Sequence, residues 1–425
     1  MQNYTEFYND LKTLISFNTE KQQSLGDAPF GLENKNALVY FLSIAEKMGF
    51  FTINYDNYAG EIIFGEGEKE FGIIGHLDIV PAGTDWDTDP FTLTEKDGIL
   101  YGRGLIDDKM PTLLCLYALK ELKDNGIKPN VKFSLFVGSN EESGWKDIEY
   151  LKSKTSLPEY GFSPDGIFPL SYAEKGMYEI SFLLPQLKNF SCLSCGNAIN
   201  AVCALATVKT NTTIDYSLLK KYNLTEKDGL ITATGVSAHG SAPHLGKNAF
   251  LPLLSFMRDS GENLDNFISC LFNDAYHVFE LKNEQGGITL SPNIIKEING
   301  KTYISADVRI PAPFTLETLL PVLKKFNIEY IVRENHPPVV VEKDGEFVSA
   351  LLSAYTLVVG ENNAQPKSMS GSTFARAFSK GCSFGPEFPN KDYRIHNSNE
   401  HVSIDELKKM YEIYKTALLN LSKLC

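Results

Sequence analysis

The stretch Phe71-Gly72-Ile73-Ile74-Gly75-His76-Leu77-Asp78 joins a short apolar run to two polar side chains. An apolar run of this length between turn residues predicts a buried β-strand. His76 and Asp78 are two residues apart, so their side chains share a face of an extended chain. A neutral imidazole can bind a divalent metal while a carboxylate orients its second ring nitrogen. The stretch therefore predicts a strand that ends at a metal ligand, although a single His-x-Asp pair is common by chance.

A second strand ends at a pair of acidic side chains. Apolar residues alternate with polar or small ones from Val131 to Val137, and the chain then continues into Asn140-Glu141-Glu142. Between the two strands, apolar residues recur at helical spacing from Met110 to Leu122. Strands that alternate with helices predict an α/β domain, and such sheets bind ligands beyond the carboxyl ends of their strands.

Four acidic residues each have an ordinary structural interpretation and a metal-binding one. Asp107 precedes the predicted helix in a glycine-rich turn, where it could cap that helix or bridge two cations through its two oxygens. Glu141 and Glu142 could form an exposed acidic turn, but adjacent buried carboxylates raise each other's pKa unless cations offset the repulsion. Asp165 in Ser163-Pro164-Asp165-Gly166 fits an ordinary β-turn when it is considered alone.

Together with Ile395-His396-Asn397-Ser398-Asn399-Glu400, these segments resemble the motifs of the M20 family of co-catalytic metallopeptidases. The resemblance runs from the first strand to the last helix. It implies two divalent cations per chain, with Zn²⁺ as the first choice and Mn²⁺ or Co²⁺ as alternatives. The implied metal ligands are His76, Asp107, Glu142, Asp165 and His396, with Asp107 as the bridge. A water between the cations would hydrolyse an amide bond, with Glu141 as general base and Asp78 in the catalytic set.

Spacing within the family pattern decides between neighbouring candidates. Asp107, not Asp108, stands two residues before the lysine of the motif. His396, not His401, precedes an Asn-Glu pair by three residues. The family usually has glycine after that lysine, and this chain has Met110, which removes no ligand.

The pattern of elements changes after Gly176 and changes back near Pro338. The middle of the chain predicts an α+β sandwich of one sheet with helices on one face, including a helix from Ala198 to Val208. We therefore predict a two-domain α/β protein of the zinc-peptidase type. Residues 1–176 and 338–425 would form a mixed-sheet catalytic domain, and residues 177–337 an inserted α+β domain that the resemblance identifies as a lid.

The predicted lid contains two segments that resemble parts of the family's substrate site. His239 would stabilise the oxyanion by donating to the developing charge, whereas His244 is expected to be structural. Asn200 would assist the same oxyanion. The dipeptidase branch normally has proline three residues after this asparagine, and this chain has Cys203.

Two further residues are expected to contact substrate. Arg309 could bind a free C-terminal carboxylate through its planar guanidinium, or it could pair with Asp307. Thr373, in the segment Ser370-Gly371-Ser372-Thr373-Phe374-Ala375-Arg376, would line the substrate cavity by resemblance.

Composition narrows the partners and the cellular location. The chain has 425 residues and a formal net charge of −13, which argues against nucleic acid or an anionic membrane as partner. No apolar run reaches the roughly 18–20 residues of a membrane span, and no secretory signal is visible. Seven scattered cysteines suit reduced thiols in a cytoplasm, and the CxxC of Cys192 and Cys195 is interpreted as incidental. We expect a cytoplasmic monomer or homodimer.

The long lid, the segment at Pro29-Phe30-Gly31 and the Ser-Thr-Phe-Ala-Arg sequence favour the PepV-like dipeptidase branch. This resemblance implies a metal-dependent dipeptidase that requires free substrate termini. The alternative on the same fold is an N-acyl-amino-acid or succinyl-diaminopimelate amidohydrolase. A scaffolding protein without activity is disfavoured because no ligand or general base is missing, and a phosphoesterase because no basic cradle is present.

Overall fold

The computed structural model describes residues 4–360 and 364–424, which divide into two compact units. The first unit comprises Met1–Ala173, Val339–Ser368 and Thr373–Cys425, and the second comprises Glu174–Pro338 and Met369–Ser372. The second unit thus begins three residues before the predicted boundary at 176/177 and includes a short segment, residues 369–372, from much later in the chain.

Helices and strands follow one another along the chain as listed here. From residue 4 to 174 they are α1 Tyr4–Ser16, α2 Leu32–Lys47, β1 Phe51–Tyr55, β2 Ala59–Phe64, β3 Glu70–His76, β4 Thr94–Lys96, β5 Ile99–Tyr101, α3 Lys109–Asp124, β6 Lys132–Gly138, α4 Lys146–Lys154, β7 Tyr160–Ser163 and β8 Ser171–Glu174. From 176 to 336 they are β9 Gly176–Leu183, β10 Phe190–Cys195, β11 Leu205–Thr210, α5 Tyr216–Tyr222, β12 Thr225–Lys227, β13 Leu230–Thr234, α6 Phe250–Asp259, α7 Asp265–Leu271, β14 Lys282–Asn283, β15 Gly286–Gly287, β16 Thr289–Ile298, β17 Lys301–Ile310, α8 Leu316–Lys325 and β18 Tyr330–His336. The remainder are β19 Val339–Val340, α9 Glu346–Val359, β20 Lys367–Met369, β21 Lys380–Ser383, β22 His401–Ser403 and α10 Ile404–Leu421.

A mixed sheet organises the first unit. Its strand order, within the described residues, is β1-β2-β6-β3-β7-β21-β8-β19, and β20 also pairs with β8. The four central strands β6, β3, β7 and β21 are mutually parallel, whereas β1, β2 and β8 run antiparallel to their neighbours. Parallel strands need cover on both faces, and β3 accordingly consists almost entirely of buried residues.

Apolar side chains cover both faces of this sheet. Ile73 belongs to the main core with residues of α1, α2, α3, α9 and α10, while Ile74 points the other way into a smaller cluster that includes Phe136. Glycines make room on that second face: a β-carbon at Gly72 or Gly161 would lie 2.2 Å or 2.4 Å from ring atoms of Phe378. The predicted strand at residues 71–75, the helix at 110–122 and the strand at 131–137 are all present.

The second unit contains two four-stranded sheets within the described residues, in the orders β10-β11-β13-β12 and β16-β17-β9-β18. The prediction of one sheet was therefore wrong. The helix predicted from Ala198 to Val208 was also wrong, because Leu205–Thr210 forms strand β11. Ala206 and Val208 are buried there and pair with β13, so tertiary pairing overrides the helical preference of an alanine-rich segment.

The described residues contain no helix that is both long and apolar enough to cross a membrane.

Candidate metal centre and active site

The carboxyl ends of the parallel strands bring the predicted ligands together. Strand β3 ends at His76, and Glu141 and Glu142 follow β6 after two residues. Asp165 follows β7, and Asp107 lies just before the first turn of α3. The ends of adjacent parallel strands meet at one sheet edge, so residues far apart in sequence converge there.

Two groups of candidate ligands share one carboxylate. His76, Asp107 and Asp165 form the first group, and Asp107, Glu142 and His396 form the second. Within each group the ligand atoms lie within 4.8 Å of one another. His76 Nε2 is 3.0 Å from Asp107 Oδ1, while His396 Nε2 is 2.8 Å from Asp107 Oδ2. The two oxygens of Asp107 therefore face different groups, as a bridging ligand requires.

The donor set fits a pair of cations and is poorly satisfied without them. Among the described residues, His76 Nε2 and Glu142 Oε1 are buried polar atoms that make no hydrogen bond. Both point into the ligand groups, because His76 Nε2 lies 4.0 Å from Asp165 and Glu142 Oε1 lies 3.2 Å from His396 Nε2. Two imidazoles and three carboxylates are donors that zinc and related divalent metals accept.

Protonation equilibria at the site are strongly perturbed. Burial alone would lower the pKa of His76, but the nearby carboxylates of Asp107 and Asp78 raise it well above the ordinary value. Burial opposes ionisation of Asp107, yet the two histidines hold its pKa well below the usual range. Burial and the Asp107 charge raise the pKa of Glu142 to about 7. Opposing shifts of this kind, caused by burial together with specific charged partners, are typical of functional sites.

Glu141 precedes the candidate ligand Glu142 and belongs to neither ligand group. Burial raises its pKa well above the ordinary value, and the adjacent Glu142 charge acts in the same direction against the opposing effect of His76. A carboxylate with a raised proton affinity can accept a proton near neutral pH.

Asp78 connects two of the strands that carry the site. Its Oδ1 and Oδ2 accept hydrogen bonds from the backbone N–H groups of Glu141 (3.0 Å) and Glu142 (3.1 Å). His76 Nδ1 lies 3.0 Å from the Asp78 carbonyl and 3.4 Å from its carboxylate. Asp78 thus orients the imidazole and holds the acidic pair by one set of contacts.

Two buried carboxylates that were not among the predicted site residues also position the site. Asp147 Oδ2 accepts from the backbone N–H groups of Ser139 (2.7 Å) and Asn140 (2.8 Å), directly before the acidic pair. Glu400 is fully buried and accepts from Arg103 (2.8 Å), Ile106 N (2.7 Å) and further backbone donors of the Asp107 loop. Only Glu400 had a sequence signal, its place in the last motif.

Asp108 and His401, which the family spacing did not select as ligands, have structural roles. Asp108 Oδ2 accepts from His76 N (3.2 Å) and from the Thr112 hydroxyl (2.8 Å), and burial raises its pKa well above the ordinary value. His401 lies in β22, where its Nδ1 is 2.9 Å from Asn399 O, and it belongs to neither ligand group. Asp107 and His396, which the family spacing selected, are the members of these two pairs that lie in the candidate ligand groups.

Glu387 is an acidic side chain near the site that sequence reasoning missed. It follows β21, the fourth central parallel strand, and its backbone N–H donates to Gly166 O at 2.9 Å, next to Asp165. Burial and the charge of Asp107 raise the pKa of Glu387 to about 7. Its position past a strand end follows from tertiary pairing, since no local motif surrounds it.

In the second unit, the His239 ring has a defined tautomer. The backbone N–H of Ser241 donates to His239 Nδ1 at 3.1 Å, and the Ser241 hydroxyl lies 2.7 Å from the same atom. Nδ1 is therefore an acceptor, and in the neutral ring the proton lies on Nε2. Asn200 is exposed and lies beside this segment, because its carbonyl accepts from Gly240 N at 2.7 Å.

Arg309 and Thr373 have their own local partners. Arg309 is buried and donates from Nε and Nη2 to both oxygens of Asp307, at 2.7 Å and 3.0 Å. Its pairing with Asp307 is therefore real, and Nη1 contacts Ser370 O at 3.5 Å. In the first unit, Thr373 is buried and caps a short 3₁₀ helix by accepting from Ala375 N at 3.1 Å.

The chain matches known proteins along most of its length. Residues 72–420 match the model of Peptidase family M20/M25/M40. The Beta-Ala-Xaa dipeptidase of Lactobacillus delbrueckii subsp. lactis is 30% identical over 451 residues, covering 97% of this chain and 95% of that protein. The fold is similar to human carnosine dipeptidase 1 (TM-score 0.59, 15% identity, 99% and 96% covered). It is also similar to the Saccharomyces cerevisiae di-peptidase Dug1p (TM-score 0.61, 14% identity, 99% and 96% covered). The chain belongs to peptidase family M20/M25/M40 and is a hydrolytic enzyme.

Proposed function

We propose that this protein is a metal-dependent dipeptidase with two divalent cations per chain, of which Zn²⁺ is the first choice. The observation that carries the proposal is the pair of ligand groups that share Asp107, with His76 Nε2 and Glu142 Oε1 left without hydrogen bonds. His76 and Asp165 would hold one cation, and Glu142 and His396 the other. When bound, the cations supply Lewis-acid polarisation of the amide and lower the pKa of water.

Glu141 would serve as the general base. It adjoins the ligand Glu142 in the chain, it belongs to neither ligand group, and burial raises its pKa. It would accept a proton from the attacking water and return it to the leaving amine, as one carboxylate can do in successive steps. Asp78 would fix its position through the hydrogen bond from Glu141 N.

His239 would stabilise the oxyanion. The acceptor role of Nδ1 toward Ser241 N leaves Nε2–H as the donor of a neutral ring, which is the group that an oxyanion needs. Asn200 would assist, since its backbone is hydrogen bonded to the same segment. This role requires the second unit to act as a lid during turnover.

Arg309 would recognise the free carboxylate of the substrate. The bidentate pair with Asp307 uses Nε–H and one N–H of Nη2, so the substrate would bind through Nη1 and the second N–H of Nη2. Thr373 would contribute to the cavity through its backbone and hydroxyl group. A substrate ammonium suits the carboxylate-rich end of the first unit, which supports unblocked dipeptides as substrates. The similarity to proteins named dipeptidases supports the same substrate class.

The alternative substrate is an N-acyl-amino acid, which has the same C-terminal carboxylate but no ammonium. A panel of one free dipeptide, its N-acetylated form, its C-terminal amide and an N-acetylated amino acid separates the two. A dipeptidase loses most of its rate when either end of the dipeptide is blocked, whereas an amidohydrolase prefers the N-acetylated amino acid. Faster hydrolysis of an acetylated amino acid than of any free dipeptide would refute the proposal.

A further inference from the structure

Three cysteines lie close together in the second unit, and the pair in contact is not the CxxC pair. Cys195, at the end of β10, has its Sγ 2.7 Å from Sγ of Cys203, and both residues are buried and reduced. Cys192 is exposed and lies at an irregularity of the β10–β11 pairing between Ser191 and Ser194. The CxxC spacing of Cys192 and Cys195 was interpreted as incidental, and the fold brings Cys195 into contact with Cys203.

The backbone around the pair is held from both sides. Cys195 pairs with Ala206 across β10 and β11, and Gly196 N donates to Leu205 O at 3.2 Å. Each sulfur also lies near a backbone carbonyl, since Cys195 Sγ is 3.2 Å from Asn293 O and Cys203 Sγ is 3.2 Å from Leu205 O. A disulfide bond is about 2.05 Å long, so the two sulfurs would need to approach by less than about 1 Å.

We propose that Cys195 and Cys203 form a reversible redox site that a peroxide converts to a disulfide. The Cys203 thiolate attacks one oxygen of hydrogen peroxide, the O–O bond breaks, and hydroxide leaves behind a sulfenic acid. The Cys195 sulfur then attacks the Cys203 sulfur, the S–O bond breaks, and hydroxide leaves with the Cys195 proton as water. The two sulfurs together lose two electrons, which reduce the peroxide to water. Two equivalents of a small thiol reverse the reaction.

The different pKa shifts of the two thiols, together with their contact, indicate which cysteine reacts with peroxide and which one resolves the sulfenic acid. A hydrogen bond from the Cys195 thiol lowers the pKa of Cys203, with backbone N–H groups acting in the same direction against burial. Burial raises the pKa of Cys195. The thiolate is the nucleophilic form, so Cys203 reacts first and Cys195 resolves the sulfenic acid.

The bond would close the loop that carries Asn200. This loop makes two backbone hydrogen bonds with the His239 segment, from Gly240 N to Asn200 O (2.7 Å) and from Val202 N to Ala238 O (2.9 Å). Oxidation would therefore constrain the Asn200 loop, which is hydrogen bonded to the segment that carries His239. Closing a loop in this way removes freedom from the unfolded chain and stabilises the folded unit.

Peptide mass mapping of the full-length protein tests the proposal. Trypsin releases residues 189–209 as one fragment with all three cysteines, because Lys188 and Lys209 flank them. The protein is treated with hydrogen peroxide, its remaining thiols are alkylated, and it is then digested. In Cys192→Ser this fragment should lose two hydrogens and take no alkyl group, and dithiothreitol should reverse both changes. Cys203→Ser should show neither change.

Two results would overturn the proposal. One is a fully alkylated fragment from peroxide-treated Cys192→Ser. The other is a reversible loss of two hydrogens in Cys203→Ser, which would assign the bond to Cys192 and Cys195. Circular dichroism checks that Cys203→Ser is folded, and Cys203→Ala is a second variant if it is not.

The melting temperature measures how much the Cys195–Cys203 disulfide stabilises the folded protein. Oxidation should raise it by roughly 5 °C in Cys192→Ser, and should not raise it in Cys203→Ser. A linked fragment without any upward shift would refute the inference that the bond fastens the loop. Because neither readout uses catalysis, both remain informative if the proposed dipeptidase activity is not found.

Discussion

Replacing Glu400 with glutamine tests whether the loop that carries Asp107 depends on one buried carboxylate. Glu400 Oε2 accepts from Arg103 Nη1 at 2.8 Å and Gly104 N at 3.0 Å, while Oε1 accepts from Ile106 N at 2.7 Å. The substitution Glu400→Gln keeps the size of the side chain. It turns one of the two acceptor oxygens into a donor and removes the charge that pairs with Arg103.

The expected loss of stability in Glu400→Gln follows from the burial of the Arg103–Glu400 ion pair. Arg103 is 1% exposed and Glu400 is fully buried, so water cannot replace the lost partner. Removing one member of a buried ion pair costs about 3–5 kcal/mol, because the other charge stays desolvated and unpaired. Stacking of the Arg103 guanidinium 5.3 Å from the Trp86 ring centre, and its hydrogen bond to Asn397 O, do not neutralise that charge.

The assay combines urea unfolding with a metal titration. Glu400→Gln should lower the free energy of unfolding of the metal-free protein by about 3–5 kcal/mol. It should also weaken metal binding by about 10–100-fold, since a group that positions a ligand affects affinity to that extent. Adding Arg103→Met to Glu400→Gln should recover part of the lost stability, because the unpaired charge is then gone.

Glu66→Gln is the matched control, because Glu66 is exposed in the turn between β2 and β3. It should change neither quantity by a measurable amount. If Glu400→Gln unfolds within 1 kcal/mol of the unmodified protein and binds metal equally well, the positioning role of Glu400 is wrong.

Four further predictions address the site. A chelator should abolish dipeptide hydrolysis and a divalent cation should restore it, and full activity in metal-free protein would refute the metal mechanism. Glu141→Gln should lower turnover by about 10² or more with unchanged metal content, whereas loss of metal would make Glu141 a ligand. His239→Ala should lower turnover by roughly 10²–10³ and His244→Ala only mildly; equal effects would indicate a folding role. The pKa of Glu387 in the folded protein is raised to about 7 from 4.5. Its ionisation therefore destabilises the metal-free folded protein increasingly as the pH rises from 4.5 to about 7. Glu387→Gln should therefore stabilise the metal-free protein at pH 8 but not near pH 4.5, and an equal effect at both would contradict the shift.

The sequence alone was sufficient to predict the local features of the candidate metal centre. Strand β3 and helix α3 follow from apolar runs and periodicity, which depend on near neighbours in the chain. The choice of Asp107 over Asp108, and of His396 over His401, followed from motif spacing, and the two ligand groups contain the chosen residues. The roles of Glu141, His239, Arg309, Asn200 and Thr373 remain predictions.

Only the tertiary structure determined how distant segments support that centre. Glu387 has no motif of its own, and it reaches the site because parallel strands end at one edge of the sheet. Asp147, in the first turn of α4, reaches it locally, since it binds backbone groups seven and eight residues earlier in the chain. The alanine-rich segment from Ala198 to Val208 was predicted to be a helix, but pairing with β13 makes Leu205–Thr210 a strand. Pairing of β10 with β11 sets Cys195 opposite Ala206, and Cys195 Sγ there contacts Sγ of Cys203 and not that of Cys192. Local propensities are worth only tenths of a kcal/mol per residue, so burial and strand pairing between distant residues decide such cases.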